Sequence, residues 1–425
     1  MILSPMEAVG RPDEPMDRQQ GESVMFKKIF VLENEIQRYP WGSPTAIPEM
    51  LGVPPSGMPQ AELWMGAHPK APSKIEISGE WIPLNLAIER YPDGILGKRV
   101  AGAFGGALPF LFKILAAAAP LSIQAHPNRS QAEDGFRAEN LKKIPLDAPN
   151  RNYRDPNHKP ECICALTPFW GLCGFRDVSE ASFFLERLCP ATLAMEIEGL
   201  RKDPPFSAFR RFYRSLMACP ADAGQAILKE GLANAAARAA EHPVFRWISA
   251  LHETCRDDIS VLSPAFLNLF CLDPGQALFL PAGELHAYLD GVGIELMANS
   301  DNVLRGGLTS KHIDVEELLG ILNTEPRPLE LIAPRTVSAQ EAVYPTGAVE
   351  FQLSVIYVPE GPDGIPMGSD GVEILLCVDG DIDIAVDDSR RRTFLPRGGS
   401  VLIPGGVDRY TLRGRGKIYK ASVPA

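Results

Sequence analysis

Basic charge is what this sequence has too little of. Its 42 Lys and Arg face 53 Asp and Glu, a formal net charge of −11. Nucleic-acid binding needs a basic footprint, so that class is excluded. An anionic small substrate is not, because local Lys and Arg decide that. The eight cysteines, at 162, 164, 173, 189, 219, 255, 271 and 377, form no C-x-x-C pair. Residues 1–24 hold no apolar leader, so they read as a disordered tail, with Met25 able to serve as the natural start. Reduced thiols in a cytoplasm are the expected state. Long hydrophobic runs are missing too: the longest, Leu108 to Ala125, is broken by Pro109, Lys113 and Pro120. A membrane span is therefore not expected. Gly105-Gly106 leads into no Gly-Lys-Ser/Thr, and no dinucleotide fingerprint occurs elsewhere.

What is present is enough chain, 425 residues at 45% hydrophobic, for two or three domains and a sizeable core. Short strands, turns and prolines fill 25–175. Phe110 to Ala119 reads as a strand or a short helix ended by Pro120, and Glu161 to Leu166 as a buried strand. The character changes at Arg176. Ala181, Phe184, Leu185 and Leu188 follow a helical spacing, with Asp177 as N-cap and Glu180 three residues on. Phe209, Phe212, Tyr213 and Leu216 repeat it, so 176–262 reads as a helical insertion. Strands return at Ala277–Leu280 and Gly293–Met297, a helix follows over Val315 to Leu322, and a Pro-rich linker covers 325–334. The end is short strands: Val372–Val378, Ile382–Val386, Ser400–Ile403 and Arg409–Leu412.

A weak internal repeat connects the two β regions. Gly275 to His286 and Gly399 to Arg409 both read as Gly, apolar strand, Pro-x-Gly turn, then a residue aimed inward. This resembles the second cupin motif, and only the first copy ends in an imidazole. The expected fold is mainly β with a helical insertion: two cupin-type jelly rolls plus an α-helical domain. The first jelly roll takes 25–175 and 263–335 and carries the catalytic site. The second, metal-free, takes 336–425.

Leu121-Ser122-Ile123-Gln124-Ala125-His126-Pro127 carries the strongest chemical signal. Alternate strand residues share a face, so Gln124 and His126 project together. Lys159 and Glu161 do the same, and the Pro281-Ala282-Gly283 turn delivers His286. Gln124, His126, Glu161 and His286 form an N/O set suited to a divalent metal such as Zn²⁺. Glu161 opens an apolar strand, and a buried carboxylate needs a cation. His68, His242, His252 and His312 are assigned to packing or the surface, although His68 stands in a conspicuous Trp64-Met65-Gly66-Ala67-His68-Pro69 stretch. From Asp290 to Lys311 the chain is dense in polar groups. Glu295 sits inside an apolar strand, and Arg305 precedes Gly306-Gly307, which lets backbone approach closely. Its planar, permanently charged fork suits a phosphate or an enediolate.

These motifs, with Tyr39-Pro40-Trp41-Gly42, Glu62 to Gly66, Pro109 to Lys113, His158 to Glu161 and Gly291 to Arg305, resemble the type I phosphomannose isomerases, zinc-dependent cupin enzymes. The resemblance runs from about Phe26 to Leu322. It implies one Zn²⁺ per chain on Gln124, His126, Glu161 and His286, and Arg305 as an essential site residue. The implied reaction interconverts mannose 6-phosphate and fructose 6-phosphate through a cis-enediolate, supplying GDP-mannose synthesis. Lys159, Glu295 and Asp301 are the candidate bases. Trp41, Lys113, Ser122, His158, Tyr288 and Lys311 are the candidate substrate contacts. A monomer is expected. Two other readings stay open, a cupin oxygenase or epimerase and a sugar-phosphate-binding regulator. Gln124 as a ligand counts against iron, and Lys159, Glu295 and Arg305 together count against a mere binder.

Overall fold

The computed structural model describes residues 25–361, 363–386 and 391–425. The expected disordered tail lies outside the described residues.

One strand, His286–Ala298, organises the first β domain. Its second half pairs antiparallel with Phe110–Ala117 on one side and Glu161–Ala165 on the other, so that Glu295 lies opposite Lys113 and Met297 opposite Glu161. Its first half leaves that sheet. It pairs instead with Phe169–Phe175 and, at His286, with Ile123–Ala125. The register shifts between Tyr288 and Asp290, and Gly291 takes φ +120°. A Cβ there would sit 2.6 Å from the Pro168 carbonyl oxygen, so only glycine turns this corner. The bend wraps one sheet onto another, and Leu115, Ile163, Phe169, Phe270, Leu278 and Tyr288 fill the space between.

Phe110–Ala117 is a strand along its whole length and buried on both faces. Period-2 alternation sorts it. Phe110, Phe112, Ile114 and Ala116 pack outward against Leu353, Ile374, Leu376 and Tyr419 of the second β domain, while Lys113 and Leu115 face inward. An apolar slab between two sheets thus leaves the inner face free to carry polar groups.

The helices are an excursion from a hairpin. Phe169–Phe175 and Leu267–Leu272 pair directly, and between them run Val178–Leu188, Ala194–Lys202, Pro205–Met217, Ala221–Ala237, Pro243–Thr254 and a 3-10 segment, Ile259–Ala265. Pro205–Met217 buries Ala208, Phe209, Phe212, Tyr213 and Leu216, one helical face. Asp177 caps its helix by accepting from the Ser179 N–H. Glu180 does not close a capping box. It pairs with Arg176 at 3.2 Å.

In the second β domain Glu373–Val386 is one strand where two were expected, paired along its length with Arg409–Ser422. A bulge at Cys377/Asp379 and a left-handed Gly380 absorb what the sequence suggested was a turn. The expectation that Arg409 aims inward is corrected as well. Arg409 is exposed, and its neighbour Tyr410 takes the inner position, donating its hydroxyl to Glu373 at 2.8 Å. The first strand, Phe30–Val31, also belongs to this domain by hydrogen bonding. It pairs with Ser400–Ile403, Phe30 opposite Leu402.

Candidate active site

The jelly-roll bend brings His126, Glu161 and His286 together in the interior. All three are buried, and their ligand atoms lie within 4.8 Å of one another. The Nδ1–H of His126 donates to the Asn302 carbonyl oxygen at 2.7 Å, and that of His286 to the Glu284 carbonyl oxygen at 2.9 Å. That fixes the tautomer, so both Nε2 lone pairs face Glu161, each 3.3 Å from a different carboxylate oxygen. Both Nε2 atoms and Glu161 Oε2 are buried without a hydrogen-bond partner. Burial, then nearby Lys159, pulls His126 down to about 4, so its ring is neutral. Burial alone would raise Glu161, but the Lys159 ammonium beside it holds it well below the usual carboxylate range. Two neutral imidazoles and a carboxylate with orphaned lone pairs converging on one point are a donor set for a divalent cation. Gln124 is in register with His286 and lines the adjoining cavity.

That cavity has a volume of about 830 Å³. Gln124, Glu161 and Lys159 line it, with Lys159 Nζ 3.0 Å from Glu161. Glu295, Asp301, Arg305, Trp41, Lys113, Ser122, Tyr288 and Lys311 line it too. His158 does not. Lys159 faces in, so its neighbour faces out: His158 Nε2 lies 2.6 Å from Glu350 of the second β domain, and Arg129 reaches the same oxygen at 2.8 Å. The expected substrate contact at His158 is thus replaced by an interdomain clamp.

Three charge arrangements divide the cavity wall. On the first, Lys113 sits between Glu295 at 2.7 Å and Glu62 at 3.7 Å, over the ring of Trp64. Burial would lower Lys113, but the two carboxylates outweigh it and hold the ammonium charged. Burial raises Glu295 above its usual value despite that partner. On the second, Asp301 takes Lys70 at 2.8 Å and His68 at 3.5 Å. Burial would raise Asp301, yet these two hydrogen bonds hold it far below the ordinary carboxylate range. On the third, Arg154, Arg305 and Lys311 face one another, and none of them has a carboxylate partner among the described residues. Burial, then mutual repulsion, lowers Arg305 and Lys311. Unpaired cations pressed together are a site for an anion.

Sequence reasoning missed His68, Arg154, Arg256 and Asp258, all on the cavity wall. His68 had a signal in its conspicuous Trp64-to-Pro69 stretch. The others sit in loops without pattern. Asn302 explains Arg154: its side chain accepts from the Arg154 N–H at 2.6 Å and donates to the carbonyls of Asp155 and Asn157, folding that loop onto the site.

Comparison with known proteins agrees with this geometry. The family model "phosphomannose isomerase type I, catalytic domain" matches residues 29–178. The mannose-6-phosphate isomerase of Salmonella typhimurium is 40% identical over 392 residues, covering 92% of this chain and 98% of the relative. That of Homo sapiens is 33% identical, covering 91% and 95%. A crystal structure of mannose 6-phosphate isomerase in its zinc-bound holo form superposes with a TM-score of 0.86 at 38% identity, over 93% of this chain and all of that one. With a metal-competent triad, an anion-binding wall and this breadth of similarity, the chain belongs to the type I phosphomannose isomerases.

Proposed function

We propose that this cavity interconverts mannose 6-phosphate and fructose 6-phosphate, with one Zn²⁺ per chain held by Gln124, His126, Glu161 and His286, in a monomer. The observation that carries the reading is the pairing of an orphaned His126–Glu161–His286 donor set with an unpaired cationic wall in one cavity. Zinc supplies a Lewis-acidic positive charge against the negative charge that develops on the sugar oxygens. Arg305, Lys311 and Arg154 take the phosphate, because no carboxylate competes for them. Lys113 is less suited to that task, since Glu62 and Glu295 already share its charge. Isomerisation moves a proton between C1 and C2. Of the two carboxyl candidates Glu295 is the stronger base, raised by burial, while Asp301 is held acidic by His68 and Lys70. Asp301 instead presents a fixed negative charge to sugar hydroxyls. Lys159 Nζ, 3.0 Å from Glu161, donates a hydrogen bond to the reacting oxygens. Trp41, stacked on Tyr39 with ring centroids 5.6 Å apart, forms an aromatic rim, and Ser122 and Tyr288 add hydroxyls.

The test is a coupled assay for fructose 6-phosphate formed from mannose 6-phosphate, before and after chelation and Zn²⁺ return. Activity lost and restored is the expected result. A folded, zinc-loaded protein that turns over no mannose 6-phosphate refutes the proposal.

A further inference from the structure

The turn between Arg305 and Lys311 is held from outside its own sheet. Gly307 and Leu308 are left-handed there, with φ of +143° and +51°. Leucine rarely adopts that region, so its surroundings must enforce it. They do so from the end of the helical excursion. Ser260 Oγ accepts the Leu308 N–H at 2.7 Å, and Asp258 Oδ2 accepts the Thr309 N–H at 3.2 Å. Asp258 Oδ1 takes both the N–H and the hydroxyl of Ser260, at 2.9 and 2.6 Å. Tyr213 donates to the Gly306 carbonyl oxygen from helix Pro205–Met217. Gly307 packs against Ser260 so closely that a Cβ would lie 2.2 Å from Ser260 Cβ. Each backbone group of the turn that reaches across is therefore tied to the helical segment, and Asp258 lies at the centre of the ties.

We infer that Asp258 is a positioning residue for phosphate recognition: through Thr309, and through Ser260 to Leu308, it sets the turn that aims Arg305 and Lys311 into the cavity. This rests on the phosphate reading given above and extends it, since it makes the helical excursion part of the substrate site. Two effects of Asp258 have opposite sign. As a carboxylate on the cavity wall it repels phosphate, so neutralising it would tighten binding. As a tether it preorganises the cations, so breaking it weakens binding.

Asp258→Asn separates them. The Asn oxygen stays where Ser260 supplies two donors, which keeps the cap of the 3-10 segment. The amide then faces the Thr309 N–H, donor against donor, and that tie is lost. The experiment is calorimetric titration of the full-length, zinc-loaded protein with glucitol 6-phosphate, a polyol phosphate with no carbonyl to isomerise. Zinc content, kcat and KM are measured alongside, and Ser260→Ala is a second variant that cuts the Leu308 tie instead. The expected result is weaker binding, about tenfold for Asp258→Asn, the scale of one hydrogen bond to a charged group, and about threefold to tenfold for Ser260→Ala, whose lost acceptor is neutral. KM rises more than kcat falls, and zinc content is unchanged. Binding by Asp258→Asn as tight as wild type, or tighter, overturns the inference. Loss of zinc and kcat in step with binding also overturns it, as a general structural role. Wild type that fails to bind glucitol 6-phosphate overturns the phosphate reading itself.

Discussion

Replacing Lys113 by Met tests the buried charge arrangement most directly. Lys113 is 6% exposed, and its partners Glu62 and Glu295 are 7% and 3% exposed. Without the ammonium, two carboxylates remain in the interior against each other. Glu62 keeps one donor, the Trp64 indole N–H at 2.7 Å, and Glu295 loses its closest. Breaking a buried pair in this way costs about 3–5 kcal/mol, or about 3–5 °C in Tm for a chain this long. The cost depends on pH with a definite sign. Burial raises Glu295 already in the intact site, and losing Lys113 raises it further. A carboxyl whose folded value exceeds its unfolded value binds more protons when folded, so stability returns as pH falls. Each pH unit between those two values returns about 1.4 kcal/mol. Thermal unfolding of wild type and variant at pH 8 and pH 6 is the assay, with the larger Tm gap at pH 8. Adding Glu295→Gln should recover more than half of the loss, because it removes the stranded charge. An equal gap at both pH values, or a double variant as unstable as the single one, refutes the reasoning.

Other expectations follow from the same geometry. Glu161→Gln removes the one carboxylate of the donor set, and zinc retention measured by chelator competition should weaken by more than about 100-fold, beyond what an outer partner costs. Arg154→Ala and Lys311→Ala should each raise KM for mannose 6-phosphate about tenfold, with kcat changed less. Because no carboxylate pairs with these cations, the binding they provide should also weaken as salt rises. Asp301 is held below its unfolded value, so its contribution to stability is present above about pH 4 and lost only in stronger acid. The Tm penalty of Asp301→Asn should therefore shrink as pH falls from about 4 to about 2, and a penalty unchanged across that range would contradict the ion pair with Lys70.

How much of this was legible in the sequence follows from the range of the forces involved. Period-2 alternation is local, and it brought Lys159 and Glu161 to one face, where their side chains meet at 3.0 Å. The same alternation turns His158 to the opposite face, toward Glu350, against its expected role as a substrate contact. Helical spacing picked the face of Pro205–Met217 that is buried. The Asp379–Gly380 stretch reads as a turn, because its residues favour one; only the unbroken ladder to Arg409–Ser422 makes it a bulge. Arg154, Arg256 and Asp258 carry no local mark. Their place on the cavity wall depends on the fold of Asn302 over the 154–157 loop and on where the helical excursion rejoins the sheet. His68 was passed over because its importance lies in a partner more than two hundred residues away in the sequence, Asp301.

The pairing of Phe30 with Leu402 has a kinetic side. Most of the chain separates the two strands, so this ladder is among the longest loops the fold has to close, and such contacts form late because closure entropy precedes any gain. During synthesis the Phe30–Val31 strand leaves the ribosome long before Ser400–Ile403 exists. Until then the strand has no edge to join, and Phe30 lacks Leu402 opposite it, while Phe26 can already pack on Tyr91. Chains cut short before residue 400 should therefore keep the metal-binding residues yet expose an apolar N-terminal arm, a ready substrate for chaperones or for aggregation.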